Sequence, residues 1–135
     1  MPVQAIAKGI KHSPRKVRVV ANLVRGRTVN DAITILEHTP RRSAIAVKKV
    51  IESARANADY NHGYKPASLK IIEISVNNGP RLKRSRPAAR SMSNRYQKKS
   101  SHIKVVIDGE KRQAKIKASV KDTGTKSASR VKENN

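Results

Sequence analysis

The chain has 135 residues and a formal net charge of +22, with a sequence pI near 11.2, and this balance makes a nucleic acid or an anionic membrane the expected partner. It contains no cysteine, which excludes disulfide frameworks and thiolate metal sites. Aromatic residues are 2% of the sequence and all are tyrosines, so a platform of several aromatic rings for splayed bases is excluded and contacts to phosphates are favoured.

The N-terminal part predicts a short strand and then a helix. Val3–Ile10 has the composition of the strand, with Gly9 as a candidate bulge. Ser13 and Pro14 predict the start of the helix, because Ser provides an N-cap oxygen and Pro needs no backbone donor in the first turn. Apolar residues follow at helical spacing with basic residues between them, and Gly26 predicts the helix end.

Two further helices are predicted. Thr28 and Asp31 resemble a capping box, so a second helix is expected to begin there. Thr39 and Pro40 predict the cap of a third and longer helix, which Gly63 ends. Its apolar residues recur three and four positions apart, which predicts a buried stripe made of Ala44, Val47, Ile51, Ala54 and Ala58.

Two segments with alternating apolar residues, 69–76 and 102–107, predict strands that pair antiparallel, with Val3–Ile10 as the third strand. The predicted buried faces carry Ile72, Ile74 and Val76 in the first segment and Ile103, Val105 and Ile107 in the second. The expected fold class is α+β, with three helices packed on a three-stranded antiparallel sheet. The domain is predicted over residues 1–108, and residues 109–135 are a polar, basic, low-complexity tail.

Residues 77–102, here called the arm, connect these two strands and are the most informative segment. No acidic residue occurs between positions 74 and 107. The connection is far longer than the roughly 2–5 residues usual for a hairpin, and it has too few apolar side chains to form a core of its own. We therefore predict a long protruding β-hairpin that is completed by a polyanion, with Pro80 and Pro87 protecting its edges.

The basic residues of the arm and of the first helix are the predicted contacts to nucleic acid. Arginine can bind phosphate with two parallel hydrogen bonds, and lysine acts as a point charge. An ordinary solvated face is an equally good interpretation of the helix residues. The candidates are Arg81, Lys83, Arg84, Arg86, Arg90, Arg95, Lys98 and Lys99 in the arm, and Arg15, Lys16, Arg18, Arg25 and Arg27 at the helix.

Enzymatic and metal-dependent functions find no support in the sequence. The four histidines are scattered without ligand spacing, and there is no nucleophile elbow or glycine-rich phosphate loop. We predict no metal site, no cofactor and no catalysis. No apolar run approaches the ~18 residues of a membrane span, and the N-terminus lacks a signal-peptide core. A cytoplasmic protein without a membrane partner is therefore expected.

Four segments occur in a characteristic order within residues 1–108: SPRKVRVVANLVRGRTVNDAITIL, AVKKVIESARANADYNHG, NNGPRLKRSRPAAR and KKSSHIKVVI. Together they resemble the bacterial-type large-subunit ribosomal protein twenty-two family. The resemblance implies three helices on a three-stranded sheet with a long hairpin. It also implies binding to large-subunit (23S-type) rRNA, contact with neighbouring ribosomal proteins and support of early subunit assembly.

The resemblance further implies that the hairpin lines the peptide exit tunnel, where the nascent peptide passes it and ribosomal protein four lies opposite its tip. Two departures from the family pattern stand out. Asn77 and Asn78 replace a frequent acidic pair. Ser91-Met92 replaces a common Gly-Arg, so the backbone conformation of the tip turn is not predicted. By motif position, the tip comprises Lys83, Arg84, Ser85, Arg86, Pro87, Ala88, Ala89 and Arg90.

Two other functions remain open from the residues alone. An architectural nucleic-acid-binding protein can also use a basic β-arm, but such proteins are typically dimers with an apolar interface. The apolar positions of this chain suffice for one small core, so we expect no homo-oligomer. A membrane-active cationic protein would need helix faces rich in Trp, Phe or Leu, whereas these helices contain Val, Ile and Ala.

Overall fold

The structure is a computed structural model and describes residues 2–112. The predicted fold of three helices on a three-stranded antiparallel sheet is confirmed. In chain order the elements are β1 (Val3–Ile10), α1 (Pro14–Val24), α2 (Val29–His38), α3 (Arg42–His62), β2 (Lys70–Pro87) and β3 (Ser93–Asp108), with one short 3-10 helix at Pro66–Ser68.

The core lies between the helices and one face of the sheet. The strand order is β1-β3-β2, so β3 is central and pairs antiparallel with both neighbours. As predicted, the alternate residues Ile103, Val105 and Ile107 of β3 are fully buried. The opposite face of the sheet remains open, where Ile6 is 52% exposed. Side chains from α1 and α3 complete the core, chiefly Val17, Val20, Val24, Val47, Ile51 and Ala54.

Glycine and threonine end or begin helices where the sequence predicted. Gly26 and Gly63 have φ of 74° and 63°, the left-handed conformation that glycine adopts without a side-chain clash. The amide of Gly63 donates to the carbonyl of Asp59 at 3.2 Å, which satisfies the end of α3. At α2, the Thr28 hydroxyl oxygen accepts from the Asp31 amide at 3.3 Å, so the predicted cap is confirmed.

The predicted start of α1 is confirmed, since Ser13 is its N-cap residue and Pro14 its first residue, whereas the predicted N-cap of α3 was wrong. Ser13 precedes α1, but its side chain makes no capping hydrogen bond, and its carbonyl accepts from the amides of Lys16 and Val17 instead. Thr39 and Pro40 do not cap α3. The Thr39 hydroxyl donates to the Ile35 carbonyl at 2.7 Å, so it is engaged by the preceding helix, and Arg41 is the N-cap residue of α3.

β2 carries extra residues relative to β3 at two places, and each is a β-bulge. The first lies between Ile71 and Glu73. It turns Ile71 into the core, where it is 1% exposed, and Ile72 outward, where it is 58% exposed. The prediction that Ile72 belongs to the buried face was therefore wrong, whereas Ile74 and Val76 are buried as predicted.

The second bulge lies between Asn78 and Arg81, where the buried part of the sheet ends. A Cβ atom on Gly79 would lie 2.6 Å from the Ser100 hydroxyl oxygen and 3.0 Å from the Ser100 carbonyl carbon, so a larger residue here would require the two strands to shift. The same hydroxyl donates to the Pro80 carbonyl at 2.6 Å. Proline has no amide hydrogen, and a bulge is a place where the ladder does not need one.

Beyond this bulge, β2 and β3 remain paired from Arg81↔Lys99 to Pro87↔Ser93. Every residue from 81 to 99 is exposed, and this stretch extends roughly 20 Å at ~3.3 Å per residue. At the tip, the Ala88 amide donates to the Met92 carbonyl at 2.8 Å. Arg90 and Ser91 have φ of 55° and 56°, so the turn adopts left-handed backbone conformations without glycine.

The first residues after β3 bind the turn that follows α3. The Arg112 amide donates to the Gly63 carbonyl at 2.7 Å, and its guanidinium lies 3.0 Å from the Asp59 carboxylate. Tyr64 is buried there, and burial together with the neighbouring Asp108 carboxylate raises the pKa of its phenol above the ordinary value. The rest of the predicted tail, residues 113–135, lies outside the described part of the chain.

The first bulge can be tested with two neighbouring isoleucines. We expect Ile71→Ala to lower the free energy of unfolding by about 2–5 kcal/mol, because it opens a cavity in the core. Ile72→Ala should change it by no more than about 0.5 kcal/mol, since that side chain is exposed. Urea titration of both variants measures the difference. The opposite order, or equal losses, would contradict the bulge.

Candidate nucleic-acid interface

The register of the arm divides its side chains between two faces. Directly paired residues of antiparallel strands point to the same side, and alternate residues of β3 keep the orientation that they have in the sheet. The face on the helix side of the sheet therefore contains cations and small polar residues with no large apolar side chain. Its members are Arg81, Lys83, Ser85, Arg95, Gln97 and Lys99. We call it the helix-side face.

The opposite face, here called the outer face, continues the open side of the sheet. It contains three cations and two large side chains: Leu82, Arg84, Arg86, Asn94, Tyr96 and Lys98. Leu82 and Tyr96 are 52% and 46% exposed. The guanidinium carbon of Arg86 lies 5.5 Å from the centre of the Tyr96 ring, within the range of a cation–π interaction.

The arm contributes positive charge that no carboxylate of the described chain neutralises. Among residues 2–112, the ion pairs lie only in the globular part: Lys48 with Glu37 and Glu52, Lys65 with Glu110, and Arg112 with Asp59. Like charges this close repel one another, and an anionic partner relieves that repulsion. The arm is thus the part of the described structure where positive charge is least compensated.

The pair between Lys48 and Glu37 shows the contrast. The ammonium and carboxylate are 2.8 Å apart. Their hydrogen bond lowers the pKa of the Glu37 carboxyl and raises that of the Lys48 amine, each relative to its ordinary value. Lys48 therefore already has an anionic partner, which joins α3 to α2, whereas Lys83 on the arm has none among the described residues.

Two of the candidate arginines of α1 hold the helix against the edge of the sheet. Arg18 donates to the Val76 carbonyl at 3.1 and 3.2 Å, and Arg25 donates to the Ile74 carbonyl at 3.2 Å. β2 is an edge strand, and these bonds occupy acceptors that another strand would otherwise pair with. Each guanidinium has five N–H donors, so Arg18 and Arg25 keep donors for phosphate as well.

The remaining candidates beside α1 differ in their surroundings. Arg27, which follows α1, donates to the Leu23 carbonyl at 3.0 Å and so satisfies the end of that helix. Arg15 and Lys16 are exposed, and no bond from their side chains to another described residue is present. Arg18 lies beside Val76 at the base of the arm, so α1 and the arm contribute to neighbouring parts of one basic surface.

A groove of about 440 Å³ lies between α1 and β2 and joins these two parts. Arg18, Asn22 and Arg25 line it on the helix side, and Glu73, Ser75 and Asn77 line it on the strand side. Two guanidinium groups beside amide and hydroxyl groups provide donors for a phosphate oxygen. With two arginines against the single Glu73 carboxylate, the charge of the lining remains positive, so the groove is a candidate for a phosphate contact outside the arm.

Metal binding and membrane insertion are two further possibilities for residues 2–112. That part of the chain contains no group of three or more His, Asp or Glu side chains that could hold a metal ion. Nor does it contain a helix that is both long and apolar enough to cross a membrane.

Tyr96 is a functional candidate that the sequence analysis missed. The sequence alone did not single it out, because the partner of a strand residue depends on the register. The signal that could have revealed it is the Gly79-Pro80 pair, which marks the bulge that sets Tyr96 opposite Arg84.

Comparison with known proteins identifies the family of the chain. The family model described as Ribosomal protein L22p/L17e matches residues 5–108. The large ribosomal subunit protein uL22 of Herpetosiphon aurantiacus is 45% identical over 108 residues, which cover 80% of this chain and 96% of that relative. Its counterpart in Oceanobacillus iheyensis is 46% identical over 111 residues, covering 82% and 98%. The chain therefore belongs to the ribosomal protein L22p/L17e family and is a structural, non-enzymatic constituent of the large ribosomal subunit.

Proposed function

We propose that the chain binds large-subunit rRNA through the arm and the basic surface of α1, and that this contact supports early assembly of the subunit. The observation that carries the proposal is the eight basic residues of the arm, which have no carboxylate partner among the described residues. The phosphate backbone is the polyanion available in a ribosome, and each contacting cation releases counterions on binding.

The arm is also proposed to line the peptide exit tunnel. A narrow two-stranded ribbon whose residues 81–99 are all exposed can insert between packed RNA segments that a globular domain cannot enter. The tip from Lys83 to Arg90 would then face the nascent peptide, with ribosomal protein four across the tunnel. This assignment rests on the family motif and on the exposed position of the tip turn.

The globular part has a different proposed role, which is to anchor the arm. Four of its seven described carboxylates are paired with its own cations, and its core fixes the two strands from which the arm continues. The groove beside Arg18 and Arg25 adds a phosphate contact at the base of the arm. We propose that the chain acts as a monomer in the cytoplasm, within the ribosome.

The charge argument predicts a difference between two lysines. Lys83→Gln should reduce the slope of log Kobs against log salt concentration by about 0.7–0.9, because one phosphate contact is lost. Lys48→Gln should leave the slope unchanged, since Lys48 is paired with Glu37 and Glu52. Filter binding to a transcript of the large-subunit rRNA at several salt concentrations measures both. A wild-type affinity that barely changes with salt would argue against the proposed function.

Removing the arm should separate binding from folding. Replacing residues 82–98 by Asn-Gly joins the paired residues Arg81 and Lys99 through a two-residue turn. We expect the melting temperature to change by less than about 3 °C, because residues 81–99 are exposed. rRNA affinity should fall steeply. A large loss of thermal stability would show that the arm is part of the core.

The tunnel position can be tested with a single thiol, since the chain has no cysteine. We expect Ala89→Cys, coupled to a thiol-reactive photocrosslinker, to capture the nascent peptide in stalled translating ribosomes. The matched control is Ser53→Cys, at an exposed position of α3, which should give no such product. Equal capture at both positions, or capture at neither, would contradict a tip that faces the tunnel.

A further inference from the structure

The outer face of the arm contains an aromatic side chain in a defined environment. Tyr96 pairs directly with Arg84, and its diagonal neighbours on β2 are Leu82 and Arg86. The Arg86 guanidinium carbon lies 5.5 Å from the ring centre, and almost half of the Tyr96 side chain is exposed. The ring is therefore held from one side by a cation and remains accessible to a partner.

We propose that Tyr96 and Arg86 form a stacking site for one unpaired nucleobase of the large-subunit rRNA, an inference that rests on the proposed rRNA binding. A nucleobase is flat and has a π-face, so it stacks on a tyrosine ring or on a guanidinium plane. Here both surfaces occur side by side, and the cation–π contact fixes their relative position.

Charge favours a base over a peptide segment as the occupant. Arg84, Arg86 and Lys98 surround the ring on the same face, so phosphates on both sides of a stacked base would meet a cation. A passing peptide of arbitrary sequence has no regular negative charge, so three cations do not favour its binding. The helix-side face offers the contrast, because it carries Arg81, Lys83, Arg95 and Lys99 but no ring, and it suits phosphate contacts alone.

The two faces thus differ in how they bind the same RNA. Contacts of the helix-side face depend on salt, because they release counterions. Stacking on Tyr96 adds affinity that does not depend on salt to first order, because tyrosine carries no charge. This difference gives the experiment its readout.

The test is binding of the full-length chain to a transcript of the large-subunit rRNA over a series of salt concentrations. We expect Tyr96→Ala to weaken binding roughly 5- to 150-fold with an unchanged slope of log Kobs against log salt concentration. Tyr96→Phe keeps the ring and should bind within about two-fold of wild type. Tyr60→Ala is the matched control, since Tyr60 is 88% exposed on α3, away from the arm.

Three outcomes would overturn the inference. Unchanged rRNA affinity of Tyr96→Ala would show that the ring contacts no base. The ring would then be available to another partner, such as the nascent peptide. A loss of affinity with a reduced slope would show that Tyr96 only positions the cations of the arm. An equal loss in Tyr60→Ala would show an effect that is not specific to the site. Failure of rRNA binding itself is a separate result, recognised by a wild-type chain with weak, salt-independent affinity.

Discussion

The antiparallel pairing of β2 with β3 is the interaction on which the rest of the structure depends. Near Ile74 and Val105, these two strands form the side of the sheet that packs against the core. Beyond Gly79, the same two strands form the exposed ribbon. No linker separates the globular part from the arm, so the helices that bury one end of the sheet also fix the direction of the other end. Backbone hydrogen bonds hold the ribbon together where apolar burial does not.

The distribution of charge follows this division. In the globular part, four of the seven described carboxylates are paired with nearby cations, which limits self-repulsion in the folded domain. The arm has no such compensation and is the part that an RNA partner would complete. The arginines of α1 connect the two regions. Arg18 and Arg25 bind carbonyls of the edge strand, and this protects the edge from pairing with other chains while their charge stays at the base of the arm.

Membership of the L22p/L17e family resolves the choice between a ribosomal protein and an architectural nucleic-acid-binding protein. The tip turn has a distinctive backbone conformation. Arg90 and Ser91 adopt positive φ without a glycine, so the turn keeps a strained backbone conformation. The Arg86–Tyr96 pair lies close to this turn along the arm. It gives the outer face a cation–π contact, which the helix-side face lacks because it contains no aromatic ring.

Local chemistry was sufficient for much of this protein. The order of the elements, the helix ends at Gly26 and Gly63, the buried stripe of α3 and the acid-free arm all followed from the sequence, because each depends on residues close together in the chain. Pairing between distant residues decided the rest. The bulges of β2 exchanged Ile72 for Ile71 in the core and brought Tyr96 beside Arg86 on one face. Neither result can be read from alternation alone, because a single extra residue reverses the side of the sheet to which every later side chain points.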